Sequence, residues 1–352
     1  MTSSLRDFLA GRARHAGTLL PGIAICLIIA AAARFLADHY GAPQMLFALL
    51  IGMAVHFLSE EPKSAPGIAF CSRTVLRLGV ALLGLRITVG QVADLGLDAA
   101  AWIAAGVAAT LAFGVALGRL LGPGGGLGLL SGGAVGICGA SAALAISSVM
   151  PAHANQERNT TFVVVTVTTF STLAMIFYPI LAVQLGLDER HAGLFLGGTI
   201  HDVAQVVGAG YGLSTAVGDD STITKLFRVA LLVPVVLGLG LWFGLAGRRS
   251  GNRPSGAGAP PAASVSLRQA LPVFVLAFCA LVALNTLFPI PDGVRLPLVE
   301  LSSWCLVTAI ASIGVRTSLR SLAGVGPQAV LLMLAETAFL ALWVLAGILW
   351  LV

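Results

Sequence analysis

The residues best suited to chemistry in this sequence are a histidine and an aspartate in the middle of a long apolar stretch. Residues 192–211 read AGLFLGGTIHDVAQVVGAGY, with His201 and Asp202 near the centre and Gln205 one helical turn further on. A helix of this length would cross the ~30 Å hydrocarbon core of a bilayer. Ionisable side chains at that depth are costly and usually belong to a transport pathway, a proton relay or a charge pair. The alternative is a buried His–Asp pair that only joins helices.

The composition indicates the class of protein. The 352 residues are 57% hydrophobic and 10% charged, with a mean hydropathy of +0.96. These values exclude an ordinary soluble domain. We predict an all-α polytopic membrane protein, because spanning backbone must satisfy its own hydrogen bonds and the apolar runs are too long for barrel strands. The net charge of +5 is modest and lies in loops, so it indicates topology rather than nucleic-acid binding.

The apolar runs predict about eleven transmembrane spans. They are residues 17–33, 43–58, 68–88, 98–119, 127–149, 160–184, 192–211, 224–246, 269–288, 296–315 and 327–351. The first run ends in three alanines, as a cleaved signal peptide would, but further spans follow at once and favour an uncleaved span. Residues 247–267 are rich in Gly, Pro, Ser and Ala, which predicts a flexible cytoplasmic linker. The linker divides one membrane domain into a first part (1–246, about eight spans) and a last part (268–352, about three).

The positions of Lys and Arg predict the orientation. A cytoplasmic N-terminus places fourteen of them, Arg190 included, on or near the inside, and six outside. The six are Arg34, Arg86, Arg158, Lys225, Arg228 and Arg295. Because cytoplasmic loops are enriched in Lys and Arg, this distribution favours a cytoplasmic N-terminus and an external C-terminus.

A weak internal repeat is visible in two of the predicted spans. Residues 76–96 align without gaps on residues 306–326, and both contain a Gly-x-Arg-x-Thr/Ser sequence, beginning at Gly84 and Gly314. The third and tenth spans lie seven crossings apart and would run in opposite directions. This pattern is typical of the inverted-topology repeats of secondary transporters. Chance similarity between two apolar helices is the alternative.

A second unusual stretch, residues 122–150, is rich in glycine where a spanning helix is expected. Its glycines include Gly124, Gly125, Gly126, Gly128, Gly132, Gly133, Gly136 and Gly139. Each costs about 1 kcal/mol relative to Ala within a helix, so we predict a broken helix. The N-terminus of the following half-helix would attract an anion, with Ser131, Cys138 and Ser141 close by. A close-packing face with small residues at spacing four is an alternative that is compatible with this one.

Three further charged residues fall within the predicted spans. Lys225 and Arg228 open the eighth span one turn apart, where snorkelling anchors are favoured over the positive wall of an anion site. Glu336 lies in the middle of the last span. It is a candidate proton-carrying carboxylate, or the buried partner of an arginine such as Arg86 or Arg316.

The sequence contains no motif for a metal, a cofactor or a catalytic nucleophile. The five cysteines show neither metal-ligand spacing nor a disulfide framework. No phosphate loop or nucleophile elbow is complete. We therefore expect no metal, no cofactor and no enzymatic activity.

Three sequence runs resemble a known family. They are GGAVGICGASA (132–142), GGTIHDVAQVVGAG (197–210) and KLFRV (225–229), and together they resemble the YeiH-type family of bacterial inner-membrane proteins, whose suggested activity is sulfate export. The resemblance covers essentially the whole chain. It implies membership of the cation–proton antiporter and anion transporter superfamily, in which two broken helices of an inverted repeat cross near the midplane. Such helices should be antiparallel, whereas our fifth and seventh spans would be parallel. Either the span count is wrong there, or these stretches are not repeat partners.

The predicted function is secondary transport of a small anion, such as sulfate or a sulfonate, across the bacterial cytoplasmic membrane. Protons or another ion would be coupled through His201, Asp202 or Glu336, and a homodimer is compatible with the sequence. The alternative is a membrane-embedded enzyme that uses His201 and Asp202 as an acid–base pair. On one helix His201 and Gln205 would share a face, so both are expected to contact substrate or a proton, with Asp202 as the orienting or coupling partner. We also expect residues 131–141 and 197–205 to meet near the midplane. The predicted substrate-binding or coupling residues are Ser131, Gly136, Cys138, Gly139, Ser141, Gly197, Gly198, His201, Asp202, Gln205, Lys225, Arg228 and Glu336.

Overall fold

The computed structural model describes residues 2–41, 43–151, 153–249, 273–288, 290–317 and 327–351, and every regular element among them is helical. The first nine helices are α1 (Thr2–Tyr40), α2 (Gln44–Ala54), α3 (Ala65–Phe70), α4 (Leu76–Leu83), α5 (Val89–Ala93), α6 (Leu97–Leu121), α7 (Gly125–Gly133), α8 (Ala140–Val149) and α9 (Gln156–Gln184). They are followed by α10 (Glu189–Thr199), α11 (Val203–Leu213), α12 (Thr215–Ala230), α13 (Leu232–Arg249), α14 (Val273–Leu287), α15 (Asp292–Arg316) and α16 (Pro327–Leu351). A 3₁₀ turn follows α2, and π-helical turns join α3 to α4 and extend α7 to Cys138.

The structure confirms an all-α membrane protein. In the described part of the chain, seven helical segments are long and apolar enough to cross a membrane, and five shorter apolar helices accompany them. The predicted count of eleven spans is not confirmed. The fifth and seventh predicted spans are each divided into two short helices.

The fifth predicted span is a helical hairpin, which we call hairpin 1 (residues 125–149). Its two helices are antiparallel, because Gly126 near the start of α7 lies against Met150, and Gly133 at the end of α7 packs on Ile146 of α8. The chain reverses at Gly139, which has φ +68° and ψ −127°. This conformation is open to glycine and strained for other residues.

The seventh predicted span is also a hairpin, hairpin 2 (residues 189–213). The Ser214 hydroxyl, just after α11, donates to Glu189 at the start of α10 over 2.6 Å, so both ends of the hairpin lie together. The helix is interrupted at Ile200 and Asp202, which both have extended backbone. A 20-residue apolar run has the length to cross a bilayer, but here the chain turns back halfway.

The two hairpins enter from opposite ends of the bundle. The long helix α6 shows this, because its two ends contact different hairpins. Near its start, Arg190 of hairpin 2 donates to the Asp94 carbonyl over 3.0 Å. Near its end, Gly118 packs on Gly124 and Gly128, where hairpin 1 begins. We call these the Arg86 end (with Arg86, Asp94 and Arg190) and the Arg316 end (with Ser72, Arg119 and Arg316).

The hairpins change the predicted positions of four basic residues. Since neither hairpin crosses, Arg158 lies at the Arg316 end and Arg190 at the Arg86 end, each opposite to the prediction. Lys225 and Arg228 lie in the interior, with no exposed surface. After these changes, fourteen Lys and Arg residues are predicted on the cytoplasmic side and four on the external side. The two ends of the described chain remain on opposite sides of the membrane. The cytoplasmic N-terminus itself stays a prediction.

Labelling from one side of the membrane tests the two hairpins. With Cys279→Ser as background, because the other four cysteines are buried, Arg158→Cys is expected to react from the same side as Arg119→Cys. Arg190→Cys should react from the side that labels Arg295→Cys. A membrane-impermeant maleimide applied to right-side-out and inverted vesicles measures this. Labelling of Arg158→Cys and Arg295→Cys from one side would instead restore the eleven-span topology.

Contacts between its two copies agree with the predicted inverted repeat. Arg316 donates to Ser72 over 2.7 Å, and Ser302 donates to the Gly79 carbonyl over 2.7 Å. The last residue of α15, Arg316, therefore lies beside the chain just before α4, and the earlier Ser302 lies beside the middle of α4. The two helices α4 and α15 are thus antiparallel. Of the aligned stretch 306–326, residues 318–326 lie outside the described residues.

Equivalent glycines of the repeat pack on equivalent helices. Gly84 lies against the Phe278 carbonyl of α14, and Gly314 against the Leu49 carbonyl of α2. Phe278 follows Leu49 by 229 residues, and Gly314 follows Gly84 by 230. Because these separations differ by a single residue, α2 and α14 belong to the repeat as well. In each copy a polar side chain also binds the backbone beside the repeat arginine. His56, in the 3₁₀ turn after α2, donates from Nδ1 to the Val315 carbonyl over 2.7 Å, and Asn285 of α14 donates from Nδ2 to the Ile87 carbonyl over 3.1 Å.

The predicted linker 247–267 lies outside the described residues except for its first three, which continue α13. The eighth predicted span begins earlier than expected, because α12 starts at Thr215 and continues after a break at Leu231 into α13. Lys225 and Arg228 therefore lie in the middle of a span rather than at its opening.

Candidate functional site

The tips of the two hairpins meet inside the bundle. A Cβ on Gly139 would lie 3.8 Å from the carbonyl carbon of His201, so the chain reversal of hairpin 1 touches that of hairpin 2. The predicted approach of residues 131–141 to residues 197–205 is therefore present. Each tip ends one helix and begins another, so each presents a set of free carbonyls and a set of free N–H groups.

Lys225 and Arg228 of α12 bind the free carbonyls of both tips. Lys225 Nζ donates to the Ile137 and Ile200 carbonyls, each over 2.8 Å. Arg228 donates at 2.6 to 3.2 Å to the carbonyls of Val135, Gly136, Gly197 and Ile200. A helix C-terminus carries partial negative charge, which favours a cation there. The two side chains are not snorkelling anchors, because a span that begins at Thr215 carries them into the interior.

A cavity of about 690 Å³ extends from the Arg316 end to the hairpin tips. Its polar lining consists of three arginines, five hydroxyl residues and further polar residues of the two tips. They are Ser72, Arg73, Arg77, Cys138, Ser141, Thr168, Thr169, Asp202, Gln205, Arg316 and Thr317. Aliphatic side chains and Phe274 form the remaining wall. Asp202 is the one carboxylate among the described residues that line the cavity. The lining is thus rich in hydrogen-bond donors and positive charge.

The N-terminus of α8 faces this cavity, and its N-cap residue, Gly139, has no side chain to cap it. The first N–H groups of a helix have no intrahelical partners; here the Cys138 sulfur meets the N–H of Ala142, one turn into the helix. Ala140 and Ser141 line the cavity, and Ser141 is exposed to it. A helix N-terminus of this kind binds oxyanions through its N–H groups and its dipole.

Gln205 provides a second polar group at the same place. It is 1% exposed and lines the cavity, and its Nε2 donates to Thr172 over 3.4 Å. Its Oε1 has no hydrogen-bond partner among the residues that the structure describes. A buried polar atom without a partner indicates a place where a ligand or water binds.

Asp202 caps the second returning helix, α11. Its carboxylate accepts from the Ala204 N–H over 3.2 Å, and its own N–H donates to Ser171 over 3.0 Å. Lys225 is a charged group that acts on this carboxylate. The two half-helix N-termini therefore differ: α8 is open, and α11 is occupied by an internal carboxylate.

His201 does not line the cavity, contrary to the expectation that it and Gln205 share a face toward substrate. It is fully buried, and its Nε2 lies 3.2 Å from the Thr337 hydroxyl of α16. Its Nδ1 has no partner. The helical-face argument fails because the backbone is extended at Asp202, so Asp202 and Gln205 point to the cavity and His201 to α16. Whether His201 takes part in function stays a prediction.

Glu336 of α16 binds hairpin 1. Its Oε1 accepts from Ser131 over 2.7 Å, and its Oε2 has no partner. The suggested pairing with Arg86 or Arg316 is wrong, because Arg86 pairs with Asp219 and Arg316 with Ser72. The aligned halves place those arginines at the two ends of the bundle, whereas Glu336 lies beside α6 and α7.

The glycines of hairpin 2 are required by close packing. Gly197 lies against Ser221 and Thr224 of α12, and Gly198 against Ile103 and Val344. In α9, the hydroxyls of Thr168 and Thr172 bond back to their own helix, each to the carbonyl four residues earlier. These two hydroxyls are therefore satisfied within α9 itself.

Sequence reasoning missed the role of three arginines. The sequence predicts a topological role for Arg73 and Arg77, and for Arg316 a place in the repeat or a pairing with Glu336, yet all three line the cavity. The spacing of four between Arg73 and Arg77 placed them on one helix face, which was the available signal. A smaller cavity of about 340 Å³ lies at the Arg86 end, lined by Asp94, Arg190 and Asp220 among others, and no residue of the two tips lines it.

The fold and site define an integral membrane protein with an inverted repeat, two opposed helical hairpins and a cationic cavity that reaches their tips. The chain belongs to the family described as Conserved hypothetical protein 698, whose model matches residues 21–333. This confirms the resemblance to the YeiH-type family.

Relatives cover nearly the whole chain. The UPF0324 membrane protein CT0845 of Chlorobaculum tepidum is 51% identical over 94% of this chain and 89% of its own length. The UPF0324 membrane protein TauZ of Paracoccus denitrificans is 51% identical over 93% of this chain and 94% of its own. The protein RB0971 of Rhizobium meliloti is 46% identical over 93% and 92%. No solved structure matches the chain.

Proposed function

We propose that this protein is a secondary transporter that moves a small oxyanion across the bacterial cytoplasmic membrane by alternating access. The observation that supports this most is the N-terminus of α8, which begins at the glycine N-cap Gly139 and faces a cationic cavity open to one end of an inverted repeat. Half-helix N-termini that face a cavity between inverted repeats are a common way for transporters to bind anionic groups. With the predicted orientation, the cavity opens to the cytoplasm.

Sulfate or a sulfonate is the proposed substrate class. Both present several acceptor oxygens to N–H and hydroxyl donors, and a guanidinium binds two such oxygens at once. The name TauZ of the Paracoccus relatives hints at a sulfonate-related role. A homodimer is also proposed as compatible with this function.

The test is anion exchange in proteoliposomes of the purified full-length protein. Labelled sulfate, taurine, methanesulfonate and acetate are trapped on one side, and counterflow is measured against each unlabelled anion outside. Exchange of at least one sulfur oxyanion is expected. Product formation without flux would favour an enzyme that uses His201 and Asp202. These side chains have separate partners here, Thr337 and the Ala204 N–H.

Asp202 is expected to make transport depend on pH. A negative carboxylate beside a bound anion costs several kcal/mol, so the anion should bind better when Asp202 is protonated. Wild-type flux is then expected to rise as the pH falls, and Asp202→Asn should transport at neutral pH with a much flatter profile. Lys225 from α12 is a charged group that acts on the same carboxylate.

Glu336→Gln provides the matched control for this pH profile. Glu336 is buried and bonded to Ser131, outside the described cavity lining. If Glu336→Gln flattens the profile and Asp202→Asn does not, then Glu336 rather than Asp202 carries the coupled proton.

A further inference from the structure

Two arginines occupy equivalent positions in the inverted repeat. Arg86 follows Gly84 by two residues, and Arg316 follows Gly314 by two. The two glycines pack on equivalent carbonyls of α14 and α2, so the arginines that follow them are related by the same approximate two-fold axis. Because α4 and α15 are antiparallel, the two arginines lie at opposite ends of the pair.

Arg316 faces the open cavity. Its Nη1 donates to Ser72, leaving its other donors free of any described carboxylate within 4.0 Å. Ser72 is itself satisfied, since its hydroxyl donates to the Ala69 carbonyl over 3.1 Å. Arg316 is thus a cation whose guanidinium is available to a ligand in the cavity.

Arg86 is occupied by a carboxylate of the protein itself. Its Nε lies 3.3 Å from Asp219 Oδ1, and the Tyr211 hydroxyl donates to the same oxygen over 2.5 Å. The Arg86 guanidinium also lies 5.4 Å from the centre of the Tyr211 ring. Asp219 is 6% exposed. These contacts join the turn after α4 to hairpin 2 and α12. They lie at the Arg86 end, where the smaller cavity does not reach the hairpin tips.

We propose that Arg86 and Arg316 are equivalent oxyanion-binding residues, one for each end of the transport path, and that Asp219 occupies Arg86 when that end is closed. A carboxylate and a sulfonate both offer acceptor oxygens to a guanidinium, so they compete for the same donors. In this conformation the guanidinium of Arg316 can bind an anion from the cavity, whereas at the Arg86 end the carboxylate of Asp219 occupies the position that the anion would take. The inference rests on the proposed transport function and names the residues that recognise its substrate.

The first test measures anion binding to the purified full-length protein. Sodium sulfate and sodium methanesulfonate are titrated calorimetrically in a low-chloride buffer. Arg316→Gln is expected to weaken binding about tenfold or more, as for loss of a charge-assisted hydrogen-bonded contact. Arg295→Gln is the matched control, because Arg295 pairs with Asp292 three residues away on an exposed turn, and it should bind as the wild type does.

The second test measures opening of the Arg86 end. Ala99, which lines the smaller cavity, is changed to cysteine in a Cys279→Ser background. Adding Asp219→Asn is expected to increase maleimide labelling of Ala99→Cys several-fold, since Arg86 loses its carboxylate. Adding Asp188→Asn, on the exposed start of hairpin 2, should leave the labelling unchanged. Labelling that does not respond to Asp219→Asn overturns the role given to Asp219.

Folding is checked by the thermal melting point of each variant, and Arg316→Lys is measured beside Arg316→Gln. Lysine keeps the charge but cannot bind two oxygens in one plane, so an intermediate affinity supports the inference. Wild-type affinity in both folded variants overturns the assignment of Arg316 while transport stands. A wild-type protein that neither binds nor exchanges any of these anions overturns the proposed function as well.

Discussion

Arg228→Leu is expected to prevent the protein from accumulating in a folded form. The change removes five hydrogen bonds and takes this donor from three buried carbonyls, those of Val135, Gly136 and Gly197, while the Ile200 carbonyl keeps Lys225. Each buried polar group without a partner costs about 1–3 kcal/mol, so the total loss is comparable with the ~5–15 kcal/mol stability of a typical domain. Thermal unfolding in detergent, with size-exclusion chromatography of the membrane extract, measures the effect.

Arg295→Leu is the control for this loss. It also removes an arginine and its ion pair, but Arg295 is paired on an exposed turn, where substitutions usually change stability by no more than about 0.5 kcal/mol. Arg228→Leu and Arg295→Leu proteins with equal melting points would show that the hairpin tips do not depend on Arg228.

Gly139→Ala is expected to have the second largest effect. Gly139 has a positive φ of 68° with ψ −127°, a combination that costs about 1–3 kcal/mol for a residue with a side chain. The space at this position is adequate, because a Cβ would have ordinary contacts with His201. The loss therefore comes from the backbone, and it should shift the tip and the free N–H groups of α8 that face the cavity. We expect a lowered melting point and at least a tenfold loss of anion affinity.

The matched control is Gly238→Ala in α13, where a Cβ would meet nothing within 4 Å. Alanine is favoured over glycine in a helix by about 1 kcal/mol, so this variant should be as stable as the wild type or more so. If Gly139→Ala behaves like Gly238→Ala in both stability and binding, the reversal at Gly139 is not needed for the site.

The broad class of the protein was determined by its sequence. A mean hydropathy of +0.96 leaves membrane helices as the structure that satisfies the backbone. The repeat could also be recognised, because Gly84 and Gly314 are required where helices pack backbone to backbone, and Arg86 and Arg316 follow them at the same spacing. The breaks at the glycine-rich stretch and at His201–Asp202 were predictable, since glycine and charge are both costly in a spanning helix.

The direction of the chain after each break was decided only by the tertiary structure. A run such as 192–211 has the same composition and length whether it crosses the bilayer or turns back at its middle, and the turn depends on contacts with distant residues. For hairpin 2 these contacts are those of Gly193 and Gly197 with α12 and of Glu189 with Ser214. The same is true of Lys225 and Arg228, which resemble interfacial anchors until the carbonyls of two separate hairpins are placed beside them. Hydropathy records the cost of exposing a residue to lipid, whereas the partner that removes this cost lies elsewhere in the chain, and only folding brings the two together.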